Sequence, residues 1–309
     1  MGKHSAARRR KGRKRGEQSF SFRHAGILAI CFLCICTGLY LWSQAFSIGR
    51  QTAAVEDDDF RPVVGDPPYR IAVDAGHGGS DPGARGVVEE KQMTAQTAQL
   101  LTEWLDRDPD YIPLATRESY DVTAKPSERA EAANAQSPDL LLSIHGNSAP
   151  EGSEASGFEC YPAVPGRKWH QESYYLAKQL AASMQAAGAS LRGRGGIRYI
   201  YYLGNTKQLV ESNHKEVRLE KSFTILEDSD CPAVLAEQCF VTSEADVARF
   251  GSEEGCRRTA RAYYEAICAY FGTTPLPECS FGPESSDTDR ILVPEKNSVR
   301  MIPQTFCEF

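Results

Sequence analysis

The feature that most constrains the fold is a regular alternation of short apolar runs with longer amphipathic runs between residues 69 and 273. The short runs are typical of buried strands, and the longer runs repeat their apolar residues at helical spacing. Because strands that alternate with helices favour a parallel sheet, we predict an α/β fold with a mostly parallel, twisted sheet flanked by helices. The predicted strands are residues 69–73, 111–116, 139–144, 157–161 and 231–236, and the predicted helices are residues 92–105, 127–135, 172–187 and 253–271.

The first 46 residues have the pattern of a membrane anchor. Residues 1–24 carry nine Lys or Arg side chains and one acid, whereas residues 25–46 carry no charge. These twenty-two uncharged residues span roughly 33 Å as a helix, which suffices to cross a bilayer. Because the basic tail precedes the span, we predict a single-pass protein of the cell membrane, with a cytoplasmic N-terminus and an extracytoplasmic remainder. A cleaved signal peptide ending near residues 43–45 and a lipoprotein site at Cys31 are the alternatives.

The segments that flank the α/β domain lack apolar periodicity. Residues 47–68 are predicted to be a charged linker, and residues 274–309 a loosely ordered tail. The basic tail abuts an apolar span without interleaved aromatic residues, so we expect it to control topology and to bind no nucleic acid. Among the ten cysteines, we expect Cys231, Cys239 and Cys268 to pack as small apolar groups. A disulfide between Cys279 and Cys307 would cross-link the tail.

Two predicted strands end in the same way, with a histidine beside glycine. One strand leads into DAGHGG at residues 74–79, and another leads into SIHGN at residues 143–147. Because the carboxyl ends of parallel strands meet at one edge of a sheet, we expect His77 and His145 to lie close together. Catalytic zinc takes nitrogen and carboxylate ligands and keeps one position for water. The sequence therefore predicts a zinc site that requires a third, acidic ligand.

Acidic residues complete this hypothesis. Glu89 and Glu90 stand just before a predicted helix, and spacing alone allows either to be the third ligand. Glu237 follows a buried predicted strand and is suited to act as the general base for water at the metal. Each feature also has a simpler explanation, because single histidines after strands usually serve packing and acids suit the first turn of a helix. For Arg117 and Arg129 we expect structural ion pairs rather than contacts that clamp the substrate.

Taken together, these segments resemble the zinc-dependent N-acetylmuramoyl-L-alanine amidases, in the branch of cell-separation and spore-associated wall hydrolases. The resemblance extends over residues 69–273, and the first of its motifs is highly specific. In chain order, the matching segments are VDAGHGGSDPGA at 73–84, EK at 90–91, TR at 116–117, ER at 128–129 with AN at 133–134, SIHGN at 143–147, and PAVLAE at 232–237 followed by Phe240.

The resemblance implies a complete catalytic site. In it, His77, Glu90 and His145 bind Zn²⁺, and Glu237 is the catalytic acid/base. The family pattern places the acidic ligand directly before a lysine, which selects Glu90 over Glu89. The resemblance further implies hydrolysis of the amide bond between N-acetylmuramic acid and L-alanine, with peptidoglycan as the substrate.

The sequence also departs from the family pattern after Glu237. Cys239 stands where glycine is common, and Ser243 stands where asparagine is common. The segment 199–222 is longer and more polar than the usual core, which makes it a candidate rim or lid of the substrate site. These departures motivate the alternative of a catalytically inactive wall-binding or regulatory protein of the same fold. A zinc peptidase that cuts within the stem peptide is a third hypothesis.

Overall fold

A five-stranded sheet forms the centre of the computed structural model, which describes residues 60–277. The strands are β1 (Tyr69–Ala75), β2 (Tyr111–Ala115), β3 (Leu140–Asn147), β4 (Glu159–Pro162), β5 (Arg198–Leu203), β6 (Thr206–Glu211) and β7 (Ala233–Phe240). The order in the large sheet is β2-β1-β3-β7-β4, and β5 pairs with β6 in a separate hairpin. Strands β2, β1, β3 and β7 are parallel, and β4 is antiparallel to β7. The prediction of a mostly parallel sheet is therefore confirmed.

Helices cover both faces of this sheet. They are α1 (Glu90–Arg107), α2 (Pro126–Asn134), α3 (His170–Ala186), α4 (Thr224–Glu227), α5 (Glu244–Asp246) and α6 (Glu253–Phe271), with a π-helix at Val247–Gly251. On one face, Leu141 and Leu235 are buried with Ala130 of α2 and Ile225 of α4. The alternate residues of the strands point to the opposite face, where α6 packs against both α1 and α3. Burial on both faces explains why the strands read as continuous apolar runs.

The predicted elements all occur, with shifted boundaries. The last helix begins and ends as predicted, whereas β3 and β7 extend further toward their carboxyl ends. The second helix, α2, begins one residue before its predicted start at residue 127. The helix begins at Pro126, and the Glu128 side chain accepts a hydrogen bond from the Lys125 backbone N–H at 2.8 Å. Proline suits this position because its missing N–H would have no partner in the first turn.

The β5–β6 hairpin is the largest element that periodicity did not predict; the short helices at Thr224–Glu227 and Glu244–Asp246 and the π-helix at Val247–Gly251 were not predicted either. Its strands carry Tyr199, Ile200 and Tyr201, which are buried on both sides of β5. Tyr199 and Tyr201 pack with Val164, whereas Ile200 packs with the apolar face of the large sheet. Because β6 is mostly exposed, its sequence lacks the apolar run that marks the other strands.

Several predictions fall outside the described residues. The basic tail (1–24), the membrane span (25–46) and most of the linker (47–68) lie there, as does the tail beyond residue 277. Within residues 60–277, no helix is both long and apolar enough to cross a bilayer. The chain divides into one unit that ends at Thr273 and a second, Thr274–Phe309, whose described residues 274–277 have no regular secondary structure.

The cysteines within residues 60–277 are buried and form no disulfide. The prediction that Cys231, Cys239 and Cys268 pack as small apolar groups is confirmed, because each is at most 4% exposed. Burial raises the pKa of the Cys239 thiol and so keeps it protonated. The predicted Cys279–Cys307 pair lies outside the described residues.

Candidate metal centre and cleft

Three of the predicted site residues come together at the carboxyl ends of β1 and β3. His77 Nε2 lies 3.1 Å from Glu90 Oε1, and His145 Nδ1 lies 3.0 Å from the same oxygen. One ligand atom from each residue lies within 4.8 Å of the others. The imidazole rings are inclined at 79° with centroids 5.0 Å apart. The two histidines that are far apart in sequence therefore face one carboxylate.

The structure separates the two acidic candidates. Glu90 is only 4% exposed, and both of its oxygens are held by backbone N–H groups. Ala84 donates to Oε2 at 2.8 Å, and Gly146 donates to Oε1 at 3.0 Å. Glu89 instead forms a surface ion pair with Arg85 at 3.4 Å. Of these two neighbours, Glu90 is thus the one that faces the histidines.

The protonation of the cluster reflects close mutual interaction. Burial alone raises the pKa of Glu90, but hydrogen bonds with His145 and His77 outweigh it and hold that pKa well below its usual range. Burial lowers the pKa of His77, but the hydrogen bonds and negative charges of Glu90 and Asp81 outweigh it and raise the pKa to about 8. An anionic carboxylate between two imidazoles is an electrostatic environment that attracts a cation.

The backbone around His77 holds its side chain in place. His77 has φ 62°, a left-handed conformation that is uncommon outside glycine and that surrounding contacts must stabilise. Its Nδ1 lies 2.8 Å from Asp81 Oδ2, and Asp81 Oδ1 accepts a hydrogen bond from the Gly83 N–H at 3.1 Å. The Arg117 guanidinium donates to the carbonyls of His77 and Ala75. These contacts fix both the backbone and the ring orientation.

Two glycines permit the close approach of the three side chains. A Cβ atom on Gly76 would lie 2.4 Å from Cε1 of His145, so the imidazole packs directly over this backbone. A Cβ on Gly83 would lie 2.6 Å from both Glu90 Oε2 and His77 Cδ2. Such separations are far below van der Waals contact. The glycines of the first sequence motif are therefore required by the packing of the cluster.

Glu237 lies beside this cluster on the same sheet face. In the parallel register of β3 and β7 it is the partner of His145, and across the antiparallel pair it is the partner of Glu159. Its Oε2 is buried and has no hydrogen-bond partner among the described residues. Burial, followed by the charges of Glu90 and Glu159, raises the pKa of Glu237 to about 8. A half-buried carboxyl group with a raised pKa is suited to exchange protons near neutral pH.

Glu159 is a residue of this region that the sequence interpretation missed. It is 3% exposed, and Arg198 and Arg192 pair with its Oε2 at 2.7 and 3.1 Å. The Tyr161 hydroxyl and the Asn147 amide donate to Oε1. The available signal was a charged residue inside an apolar predicted strand, which requires a buried partner.

A second buried network supports the base of the site. Asp74, which is fully buried, accepts hydrogen bonds from Thr116 Oγ1 and Ser143 Oγ, each at 2.7 Å. Arg129 Nε lies 3.1 Å and Arg117 Nη2 lies 3.7 Å from Asp74 Oδ1. The structural ion pairs expected for both arginines are therefore present, and Arg129 also lines the cleft above them.

A cleft of about 390 Å³ opens over the three converging residues. Its floor includes His77, Glu90, His145 and Glu237, and its far wall carries aromatic and basic side chains. The wall residues from the hairpin and the segment after it are Tyr202, Lys207, Phe223, Thr224 and Ile225. Segment 199–222 was predicted to border the substrate site, and two of its residues, Tyr202 and Lys207, do line the cleft.

Comparison with known proteins identifies relatives of the domain. The sequence pattern of the N-acetylmuramoyl-L-alanine amidase family matches residues 71–269. The chain is 29% identical over 204 residues to the uncharacterized protein YqiI of Bacillus subtilis, covering 65% of this chain and 84% of that protein. It is 27% identical over 229 residues to a probable N-acetylmuramoyl-L-alanine amidase of Haemophilus influenzae. That match covers 66% of this chain and about half (52%) of the relative.

Solved structures agree with this assignment. The catalytic domain of CwlV, an N-acetylmuramoyl-L-alanine amidase from Paenibacillus polymyxa, is 26% identical with a TM-score of 0.52, covering 67% of this chain and 99% of that one. An N-acetylmuramoyl-L-alanine amidase from Clostridium difficile 630 shares the fold at 24% identity with a TM-score of 0.53. This match covers 66% of this chain and 97% of that one. Since the family pattern spans well over half of the sequence, this chain belongs to the N-acetylmuramoyl-L-alanine amidase family.

Proposed function

We propose that this protein is a zinc-dependent hydrolase that cleaves the amide bond between N-acetylmuramic acid and L-alanine in peptidoglycan. The observation that carries the proposal is the convergence of His77, Glu90 and His145 within 4.8 Å at one end of the sheet. Membership of the amidase family and the position of Glu237 in the same cleft support it.

The donor set of the three residues fits zinc. Zinc bonds to histidine nitrogen and carboxylate oxygen measure about 2.0–2.2 Å, which places neighbouring tetrahedral ligands roughly 3.3 Å apart. The separations of 3.1 and 3.0 Å between Glu90 Oε1 and the nitrogens of His77 and His145 support this fit. When bound, a zinc ion supplies Lewis acidity that polarises a carbonyl and acidifies water.

The side chains of the protein supply the remaining chemistry. His77, Glu90 and His145 hold their positions through the backbone and Asp81 contacts described above, so little reorganisation is needed during the reaction. Glu237 takes a proton from the attacking water and delivers it to the leaving amide nitrogen, so that a lactyl carboxyl and a free L-alanine amine result. Its buried Oε2, which lacks a hydrogen-bond partner among residues 60–277, supports this role.

Digestion of purified muropeptides tests the proposal. We expect release of intact stem peptides with a free N-terminal alanine from wild-type protein, and at least about a 100-fold slower release from Glu237→Gln. Zinc counted per chain is expected to remain in Glu237→Gln and to be lost in His145→Ala. Full activity of Glu237→Gln would overturn the role of this residue.

The same digestion distinguishes the two rival functions. Fragments cut between residues of the stem peptide would identify a zinc peptidase. Binding of zinc-loaded wild-type protein to peptidoglycan without any cleavage would identify an inactive wall-binding protein. The four site residues His77, Glu90, His145 and Glu237 are all present, which favours the amidase over the inactive protein.

We also propose that residues 25–46 anchor the protein in the cell membrane with the catalytic domain outside. This rests on the sequence alone, because the uncharged span follows nine basic side chains. The substrate lies outside the cytoplasmic membrane, which agrees with this orientation. Protease added to intact spheroplasts is expected to degrade the domain, and its protection would contradict the proposed topology.

A further inference from the structure

The β5–β6 hairpin is fixed against the sheet by aromatic contacts. Phe223 packs edge-on against Tyr161 of β4, with centroids 5.4 Å apart, and against Tyr202 of β5 at 6.1 Å. The Tyr202 N–H donates to the carbonyl of Lys221 at 2.8 Å. Tyr161 is in turn the register partner of Leu235, which lies two residues before Glu237 and faces the same side of the sheet. The hairpin is therefore a positioned wall beside the site.

One cation projects from this wall into the cleft. Lys207 is the register partner of Tyr202 in the hairpin, and its Nζ lies 5.9 Å from the Tyr202 ring centroid and 5.4 Å from that of Phe223. Lys207 lines the same cleft as His77 and Glu237. Among residues 60–277, no carboxylate forms an ion pair with it.

Lys207 also interacts electrostatically with Glu237 in the same cleft. It is one of the groups that lower the pKa of Glu237, although burial outweighs it. Cation–π contact with two rings stabilises an ammonium group in place but leaves its hydrogen-bond donors unused. An ammonium held in place, with free donors and no ion pair to any carboxylate of residues 60–277, is suited to bind an external anion.

The geometry points to Lys207 as a specificity-determining residue that pairs with a carboxylate of the stem peptide close to the scissile amide. This inference rests on the proposed amidase function, which makes the stem peptide the leaving group. Leu235, which marks the position of the wall, lies two residues from Glu237 on β7, a distance of roughly 7 Å. Each extended residue of a bound stem peptide spans roughly 3.5 Å. A carboxylate one or two residues beyond the scissile bond is therefore within reach of the wall. Stem peptides carry such a group either as a free acid or as an amide, which provides matched ligands.

Kinetics with matched muropeptides test the inference. We compare substrates whose second stem residue carries a free carboxylate or an amide, in wild type, Lys207→Gln and Lys207→Arg. Because a charge-assisted pair is lost, Lys207→Gln is expected to raise KM about tenfold for the acid form only. Lys207→Arg is expected to retain most of the preference, since its charge is kept. Lys221→Gln is the control and is expected to behave like wild type, because Lys221 is an exposed lysine that contacts the hairpin through its backbone carbonyl.

Binding of product peptides separates this inference from the proposed function. Free stem peptides in acid and amide forms are titrated into zinc-loaded wild type and Lys207→Gln by calorimetry, which requires no turnover. A preference for the acid form that disappears in Lys207→Gln supports the inference. Equal effects of Lys207→Gln on both forms, or a change confined to kcat, would overturn it. Failure of wild-type protein to cleave either muropeptide would reject the amidase proposal, while the binding comparison still decides the role of Lys207.

Discussion

Replacing Gly76 with alanine tests the packing of the metal centre by adding a single methyl group. Gly76 has no left-handed φ, so alanine introduces no backbone strain at this position. The new Cβ would lie 2.4 Å from His145 Cε1 and 2.6 Å from both ring nitrogens. Ordinary van der Waals contact begins near 3.4 Å, so the imidazole must move by about 1 Å. The perturbation is therefore confined to one proposed ligand.

A displacement of this size removes His145 from the ligand set. Metal–ligand distances tolerate about 0.2 Å, and loss of an outer-shell contact alone already costs about 10–100-fold in metal affinity. Because Gly76→Ala displaces a ligand itself, we expect zinc affinity to fall by more than about 100-fold, with a parallel loss of amidase activity. Competition with a chromophoric chelator measures the affinity, and metal analysis gives the zinc count per chain.

Two further glycines serve as matched controls. Gly65→Ala adds a methyl group where no atom lies within 4 Å, and it is expected to bind zinc like wild type. Gly251→Ala adds a methyl group at a buried position away from the histidines. The nearest atom there is Met93 Sδ at 3.1 Å, which belongs to a flexible side chain that can move aside. Thermal unfolding of the metal-free proteins shows whether each variant folds. If folded Gly76→Ala binds zinc as tightly as Gly65→Ala, the packing of His145 over this backbone does not determine the site.

Three more predictions concern the charges of the site. In metal-free protein, folding raises the pKa of Glu237 to about 8, so the folded state is stabilised while this carboxyl is protonated and loses that stability as the pH rises toward 8. Glutamine cannot ionise, so Glu237→Gln is expected to raise the melting temperature more at pH 8 than at pH 5. Asp81→Asn is expected to lower zinc affinity about 10–100-fold, because Asp81 Oδ2 orients the His77 ring from 2.8 Å. Asp74→Asn is expected to lower the free energy of unfolding by about 3–5 kcal/mol in urea titrations, because it leaves the buried Arg129 guanidinium without its carboxylate.

Each of these has an outcome that contradicts it. An equal shift in melting temperature at both pH values would show that Glu237 does not titrate differently in the folded and unfolded states. Asp121→Asn, a change at an exposed aspartate of the nearby loop, should leave zinc affinity unaltered, and an effect equal to that of Asp81→Asn would indicate a general charge effect. A loss below about 1 kcal/mol for Asp74→Asn would show that the buried network is dispensable.

The sequence determined most elements of this fold because the central strands are buried on both faces and the long helices are amphipathic. Continuous apolar runs predicted the four parallel strands, and their common direction placed His77 and His145 at one edge. The first motif also contained the glycines that the close packing of the imidazoles requires. These features depend on local periodicity and on the geometry of parallel sheets, which a single sequence contains.

Other features depended on contacts between distant segments, and only the tertiary structure decided them. Spacing left Glu89 and Glu90 equivalent and only the family resemblance selected Glu90, whereas the structure gives the physical reason: backbone donors from Ala84 and Gly146 hold Glu90 toward the histidines. The sequence predicted Glu237 but not its neighbour Glu159, because β4 pairs antiparallel with β7 after a long separation in the chain. Strand β6 gave no apolar run because it is mostly exposed, and β5 is buried mainly through aromatic contacts, so the position of the hairpin beside the cleft required the packed structure.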